Sequence, residues 1–249
     1  MNRLIRAELL KLRTTHVWFW LLLADLAVCV IAAVAGLASD NVQEPSDVAS
    51  IFANGNGGLA VALILGILGI TTELRYQTFT PTVLTTPSRW AIMAAKLATY
   101  ALVGAAYAVV GILVQLAITV PWLSSKHIDF ELGGDVGRAM VGLVLVFVLF
   151  AIMGIGIGSV LRNQGLAISL GLVFLLVVNN WIAAIPGVRA AFPYTPIGAL
   201  ISVIYPPGGD SDPTGITLLS RPGGIIVLLL WALVPAVMGA ALTLNRDIT

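Results

Sequence analysis

The chain has 249 residues, 59% of them hydrophobic and only 10% charged, with a mean hydropathy of +1.00. Soluble domains carry about 25% charged residues, so a water-soluble globular fold is excluded and an integral membrane protein is implied. The net charge of +1 says little by itself, because in such a chain the placement of charges matters more than their sum. The single cysteine, Cys29, lies in an apolar run, forms no internal disulfide and reads as a small core residue.

Residues 3–13, RLIRAELLKLR, set Leu4, Ile5, Leu9 and Leu12 against Arg3, Arg6, Lys11 and Arg13. This spacing predicts an amphipathic helix that lies in the membrane interface, or else a basic flank that only sets topology. A first apolar span follows at 17–38. It ends in a small-x-small pattern, but it is longer than the roughly 7 to 15 residues of a signal-peptide core, so it reads as a retained helix. Asp25 falls inside it. A carboxylate facing lipid at such a depth costs roughly 2.5 to 3.5 kcal/mol, so Asp25 is expected to face protein or water. It lines a translocation path or is a buried carboxyl held by a neighbouring helix.

Five further spans follow at 57–72, 92–120, 139–161, 166–185 and 224–244. The second is short for the roughly 20 residues a crossing needs, and its helix is expected to start a turn earlier, near Ala53. The third is long, and its Lys96 is expected to snorkel to the headgroups. Asn179 and Asn180, near the outer end of the fifth, line an exit or hold helices together. Between the fifth and sixth spans, YPPGGDSDPTG marks turns, while residues 197–205 are apolar enough to dip into the bilayer as a short re-entrant helix. The chain reads as one membrane domain over residues 1–249.

Orientation follows from the basic residues. With the N-terminus inside, the inner segments hold Arg3, Arg6, Lys11, Arg13, Arg75, Arg89, Lys96, Arg162 and Arg246, and the outer ones hold Lys126, Arg138, Arg189 and Arg221. That bias puts both termini, and the stretch between the second and third spans, in the cytoplasm.

In that stretch Thr80 is a helix cap, Pro81 suits the first helical position and Pro87 ends the helix, giving a short element that carries Phe79, Val83 and Leu84. Ser88 then caps the third membrane helix, and Arg89 and Trp90 suit the headgroup level. From the residues alone this is either a rigid knob on the membrane surface or a plain connector.

The pattern Glu73-x-Arg75-x-x-Thr78, with Leu84, Pro87-Ser88-Arg89 and Ala95-Lys96-Leu97, resembles the signature loop of permeases of the ABC type-2 (ABC-2) exporter family. Gln77 stands where many relatives have glycine. The amphipathic N-terminus, Gly154-x-Gly156-x-Gly158 with Leu161-Arg162-Asn163-Gln164, and the outer segment from Phe192-Pro193 to Ile204 are similar to features of the same family. The resemblance implies an all-α fold of six transmembrane helices with an interfacial N-terminal helix, a cytoplasmic coupling helix and an outer re-entrant segment. It also implies that Glu73, Arg75, Thr78, Phe79, Thr80, Pro81, Val83, Leu84, Pro87 and Arg89 dock a separate ABC ATPase subunit, which binds the ATP, and that a second copy or a related permease completes the complex.

The glycine-rich GIGIGSV follows no strand and opens no soluble helix, so it is read as close helix packing rather than a nucleotide loop. The sequence holds no G-x-x-x-x-G-K-[ST], and His16 and His127 fall on opposite sides of the expected membrane. No cofactor, metal, catalytic constellation or nucleic-acid partner is expected in this chain. The resulting reading is a non-enzymatic permease subunit of an ATP-driven exporter in the cell membrane, moving a hydrophobic or amphipathic substrate outward by alternating access. The alternative is a non-transporting membrane anchor or sensor subunit.

Overall fold

The computed structural model describes residues 2–38, 51–52, 58–76, 89–127, 133–205 and 216–244. Among these the regular elements are all helices, with α1 (Asn2–Thr14), α2 (Val17–Ala38), α3 (Gly58–Arg75), α4 (Arg89–Ser125) and α5 (Gly134–Leu161). They are followed by α6 (Gln164–Ala184), α7 (Pro196–Ile204) and α8 (Arg221–Leu244). Six of them, α2 to α6 and α8, are long and apolar enough to cross a membrane, at the six places where apolar runs predict spans. The chain is thus an all-α, multi-pass membrane protein.

Helices α3 and α5 form the centre of the bundle. Their spans are 67% and 61% buried, against 22 to 28% for the other four, which turn apolar faces such as Trp20, Ile31, Leu113, Leu176 and Val237 outward. Small residues allow the central pair to approach closely. A Cβ added at Gly66 would stand 2.1 Å from the Ala151 carbonyl oxygen, and one at Gly154 would stand 2.2 Å from that of Leu63. Gly156 faces the opposite way, where an added Cβ would meet Pro235 and Ala236 of α8. The GIGIGSV run is therefore a packing surface on two sides.

Local chemistry fixes the joints. Arg162 ends α5 in the left-handed region at φ 53°, donates its N–H to the Gly158 carbonyl, and reaches the Leu242 carbonyl of α8 through its guanidinium at 2.8 Å. Asn163 then caps α6 by accepting from the Leu166 N–H. Thr195 caps α7 by accepting from the Gly198 N–H at 3.2 Å, with Pro196 at the first position. Every residue of α7 except Ile197 is buried, under α5 and α8. A covered helix in this position meets the condition that re-entry imposes on a backbone in the membrane.

The second span reaches further than its apolar stretch: α3 (Gly58–Arg75) runs past Thr72, and the expected start near Ala53 lies outside the described residues. One expectation changes in the structure. Lys96 does not snorkel. It is 1% exposed and turns into the bundle, because carboxylates from two other helices meet it there.

Candidate functional site

The polar ends of α1, α3 and α4 meet in a ring of four charges, of which Glu8, Glu73 and Lys96 are buried and Lys11 is half-exposed. Lys96 of α4 lies 2.5 Å from Glu8 Oε2 and 3.0 Å from Glu73 Oε1. Lys11 lies 2.7 Å from Glu8 Oε1 and 2.8 Å from Glu73 Oε1. Acid and base alternate around the ring, so it is neutral. Lys96 donates to Glu8 Oε2 and to the Gly69 carbonyl at 3.2 Å, and pairs with Glu73 by charge. Its ammonium stands 5.8 Å from the centre of the Tyr100 ring, which packs on α3 where Gly69 leaves room for it.

Two of the four side chains come from α1. Its inward face is Leu4, Ile5, Glu8, Lys11 and Leu12, a helical repeat, whereas Leu9 and Leu10 are exposed. Glu8 thus takes an inward position that the amphipathic pattern assigns to Leu9. Burial alone raises the Glu8 carboxyl. The Lys96 charge and hydrogen bonds from Lys11 and Lys96 outweigh this and hold it below its ordinary 4.5. Burial likewise lowers the Lys11 ammonium, but bonds to Glu73 and Glu8 leave it above 10.5.

The ring clamps both borders of the segment singled out in the sequence. Glu73 sits in the last turn of α3, and Lys96 lies two turns into α4, whose first residue is Arg89. Arg75 and Tyr76 are exposed, with the Arg75 guanidinium 5.8 Å from the centre of the Tyr76 ring. Thr78, Phe79, Thr80, Pro81, Val83, Leu84 and Pro87 lie outside the described residues. Of the loop residues named from sequence, Glu73 is thus placed in the ring and Arg75 at the surface beside it.

Asp25, Asn179 and Asn180 lie elsewhere. Asp25 is fully buried and faces protein. Its Oδ1 stands 2.2 Å from where a Gly58 Cβ would be, and Oδ2 stands 3.7 Å from where a Gly111 Cβ of α4 would be. Among the described residues neither oxygen has a hydrogen-bond partner. Asn179 is buried and donates to the Phe174 carbonyl at 2.7 Å, which staples a π-turn at Phe174–Val178 in α6. Asn180 is exposed and donates to the Leu176 carbonyl. These three residues are not brought together with the ring.

Sequence reasoning missed Glu8. The available signal was a lone acid in a basic helix, three residues before Lys11, together with a glutamate and a lysine flanking one loop.

The model of the ABC-2 family transporter proteins matches residues 4–180, well over half of the 249 residues. The chain belongs to the ABC-2 transporter family. No curated protein matches it in sequence. As an ABC-2 family protein with six spanning helices, it is a transmembrane ABC transporter permease. All four charges of the ring fall within the matched region, and α7 lies beyond it.

Proposed function

We propose that the chain is the membrane subunit of an ATP-driven exporter, working as a dimer with two copies of a separate ABC ATPase. The observation that carries this reading is the ring Glu8–Lys11–Glu73–Lys96 in an ABC-2 family chain. It joins the N-terminal helix to the two helices that border residues 77–88, so a push on that segment is passed to α1, α3 and α4 together. The ATPase docks on residues 73–90 from the cytoplasm, with Phe79, Val83 and Leu84 as apolar anchors and Arg75 and Arg89 at the rim. Both termini are then cytoplasmic, as the distribution of basic residues supports.

Closure of the ATPase pair drives the permease dimer between inward-open and outward-open states, and an amphipathic substrate leaves on the outer side. Asp25 stands on the path. The outward apolar faces of the bundle contact lipid and the second copy.

Inside-out vesicles that contain permease and ATPase test the reading. On addition of ATP they accumulate an amphipathic fluorescent amine, and vanadate stops the uptake. A complex that hydrolyses ATP and moves none of a panel of amphiphiles is instead an anchor or sensor, and the exporter reading fails.

A further inference from the structure

A cavity of about 520 Å³ opens between the α1–α2 elbow, α3 and α4. Its volume falls within the range of small-molecule pockets, roughly 300 to 1,000 Å³. One wall is apolar, built by Trp18 and Leu21 of α2 and by Leu65 and Leu68 of α3. Lys11 and Arg75 stand at the polar end, in the last turns of α1 and α3. An apolar wall leading to cations where the spanning helices end follows the order of tail and headgroup in one leaflet of a bilayer.

What the polar end presents is donors. Arg75 is exposed, and its guanidinium meets the Tyr76 ring at 5.8 Å but, among the described residues, no carboxylate. The Lys11 ammonium has three N–H groups. Two go to Glu8 Oε1 and Glu73 Oε1, and with the side chain 41% exposed the third is open to a ligand. Glu8 and Glu73 border the same end, but both are buried, and Lys11 and Lys96 match their charges within the ring. The ring is neutral, so Arg75 makes this end of the cavity net cationic. Its unmet need is an anion.

We infer that this cavity holds an anionic membrane phospholipid: its phosphate accepts from Arg75 and Lys11, and one acyl chain lies along Trp18, Leu21, Leu65 and Leu68. The guanidinium fork suits the paired oxygens of a phosphate, and basic side chains at the headgroup level favour anionic lipids. A zwitterionic headgroup brings its own ammonium against the same two cations and loses that gain, so headgroup charge decides occupancy. The lipid goes beyond the exporter reading and stands without it, since no ATPase is needed to form the site. On the exporter reading Arg75 serves both, at the rim of the docking face and on the headgroup.

The full-length permease, released from detergent micelles in a mass spectrometer, reads the site directly. The probes are phosphatidylglycerol and phosphatidylcholine with equal acyl chains, and dodecyl phosphate as a single-chain anion. Phosphatidylglycerol should be retained at a concentration about tenfold lower than phosphatidylcholine, equivalent to about 1.4 kcal/mol. Equal retention of the two phospholipids overturns the proposal. Retention of dodecyl phosphate without phosphatidylglycerol overturns the lipid as occupant.

Arg75→Gln should erase the preference for the anionic lipid, whereas Arg13→Gln, at an exposed position of α1 that does not line the cavity, should keep it. An unchanged preference in Arg75→Gln overturns the site, and equal losses in both variants do so too, because the preference then belongs to surface charge at large. Leu68→Trp, which fills the cavity from a half-buried position, should abolish retention in a protein that remains folded and helical, and unchanged retention there also overturns the proposal. Because binding is read without ATPase, each of these results is independent of the docking and uptake assays.

Discussion

Lys96 and Glu8 are separated by 88 residues of sequence and by 2.5 Å in space. Through this contact a helix at the chain's N-terminus is fastened to the start of α4, and Lys11 and Glu73 close the connection onto the end of α3. Buried pairs of this kind gain little over an apolar replacement of both partners but are expensive to break on one side. The arrangement thus fixes a geometry more than it adds stability.

Lys96→Met should therefore destabilise the purified permease by about 3 kcal/mol or more, since it leaves Glu8 and Glu73 sharing only Lys11. The double variant Lys96→Met with Glu8→Gln should recover much of that loss. Thermal unfolding followed by the exposure of Cys29 to a thiol-reactive dye measures both. Equal losses in the single and double variants would mean that the two residues are not energetically coupled.

The ring also sets a pH window for α1. A carboxyl held below 4.5, as Glu8 is, contributes stability that is complete above 4.5 and is lost as pH falls through its lowered folded value. An ammonium held above 10.5, as Lys11 is, contributes stability that is complete below 10.5 and is lost as pH rises through its raised folded value. Docking of α1 is thus secure through neutral pH and weakens in acid. A nitroxide at Ala7, on the exposed face of α1, should become mobile as pH falls below about 4.5 and through the lowered Glu8 value. A spectrum that stays immobile throughout would show that other contacts hold the helix.

Close approach of α3 and α5 predicts a sharp response to single methyl groups. Gly66→Ala and Gly154→Ala each place a carbon on a backbone oxygen and should cost about 1 to 3 kcal/mol. Gly133→Ala adds its methyl in open space and should leave stability unchanged. Thermal melts of the three variants decide the matter, and tolerance of both packed variants would place the two helices farther apart.

Asp25→Asn keeps the shape of a side chain that sits between Gly58 and Gly111 but removes its ionisable carboxyl. With Asp25 on the path, uptake into inside-out vesicles should fall several-fold while the ATPase stays bound. A variant that melts at a higher temperature and transports fully would make Asp25 a tolerated core carboxyl.

Much of the fold was legible because bilayer thickness imposes length and hydropathy on each span. The face that α1 turns inward was only partly legible. Its leucines mark a stripe, but nothing local shows that Glu8 lies beneath it and Leu9 outside. Lys96 was misread for the same reason: a lysine near a helix start snorkels by default, and its inward turn depends on partners 23 and 88 residues away. The π-turn at Phe174–Val178 left no mark in the apolar pattern either, since a shift in backbone register does not alter composition.

The central claim is that residues 73–90 receive an ATPase and that the charge ring holds that surface in place. Co-purification of the ATPase with permease variants tests it most directly. An aspartate forced into an apolar groove is costly without a partner, whereas rim charges contribute little to such interfaces. Leu84→Asp and Phe79→Asp should each lose most of the bound ATPase while the permease still dimerises, and Arg89→Ala should retain it. Full retention in both aspartate variants, with normal ATP-driven uptake, would contradict the account and reduce the segment to a connector.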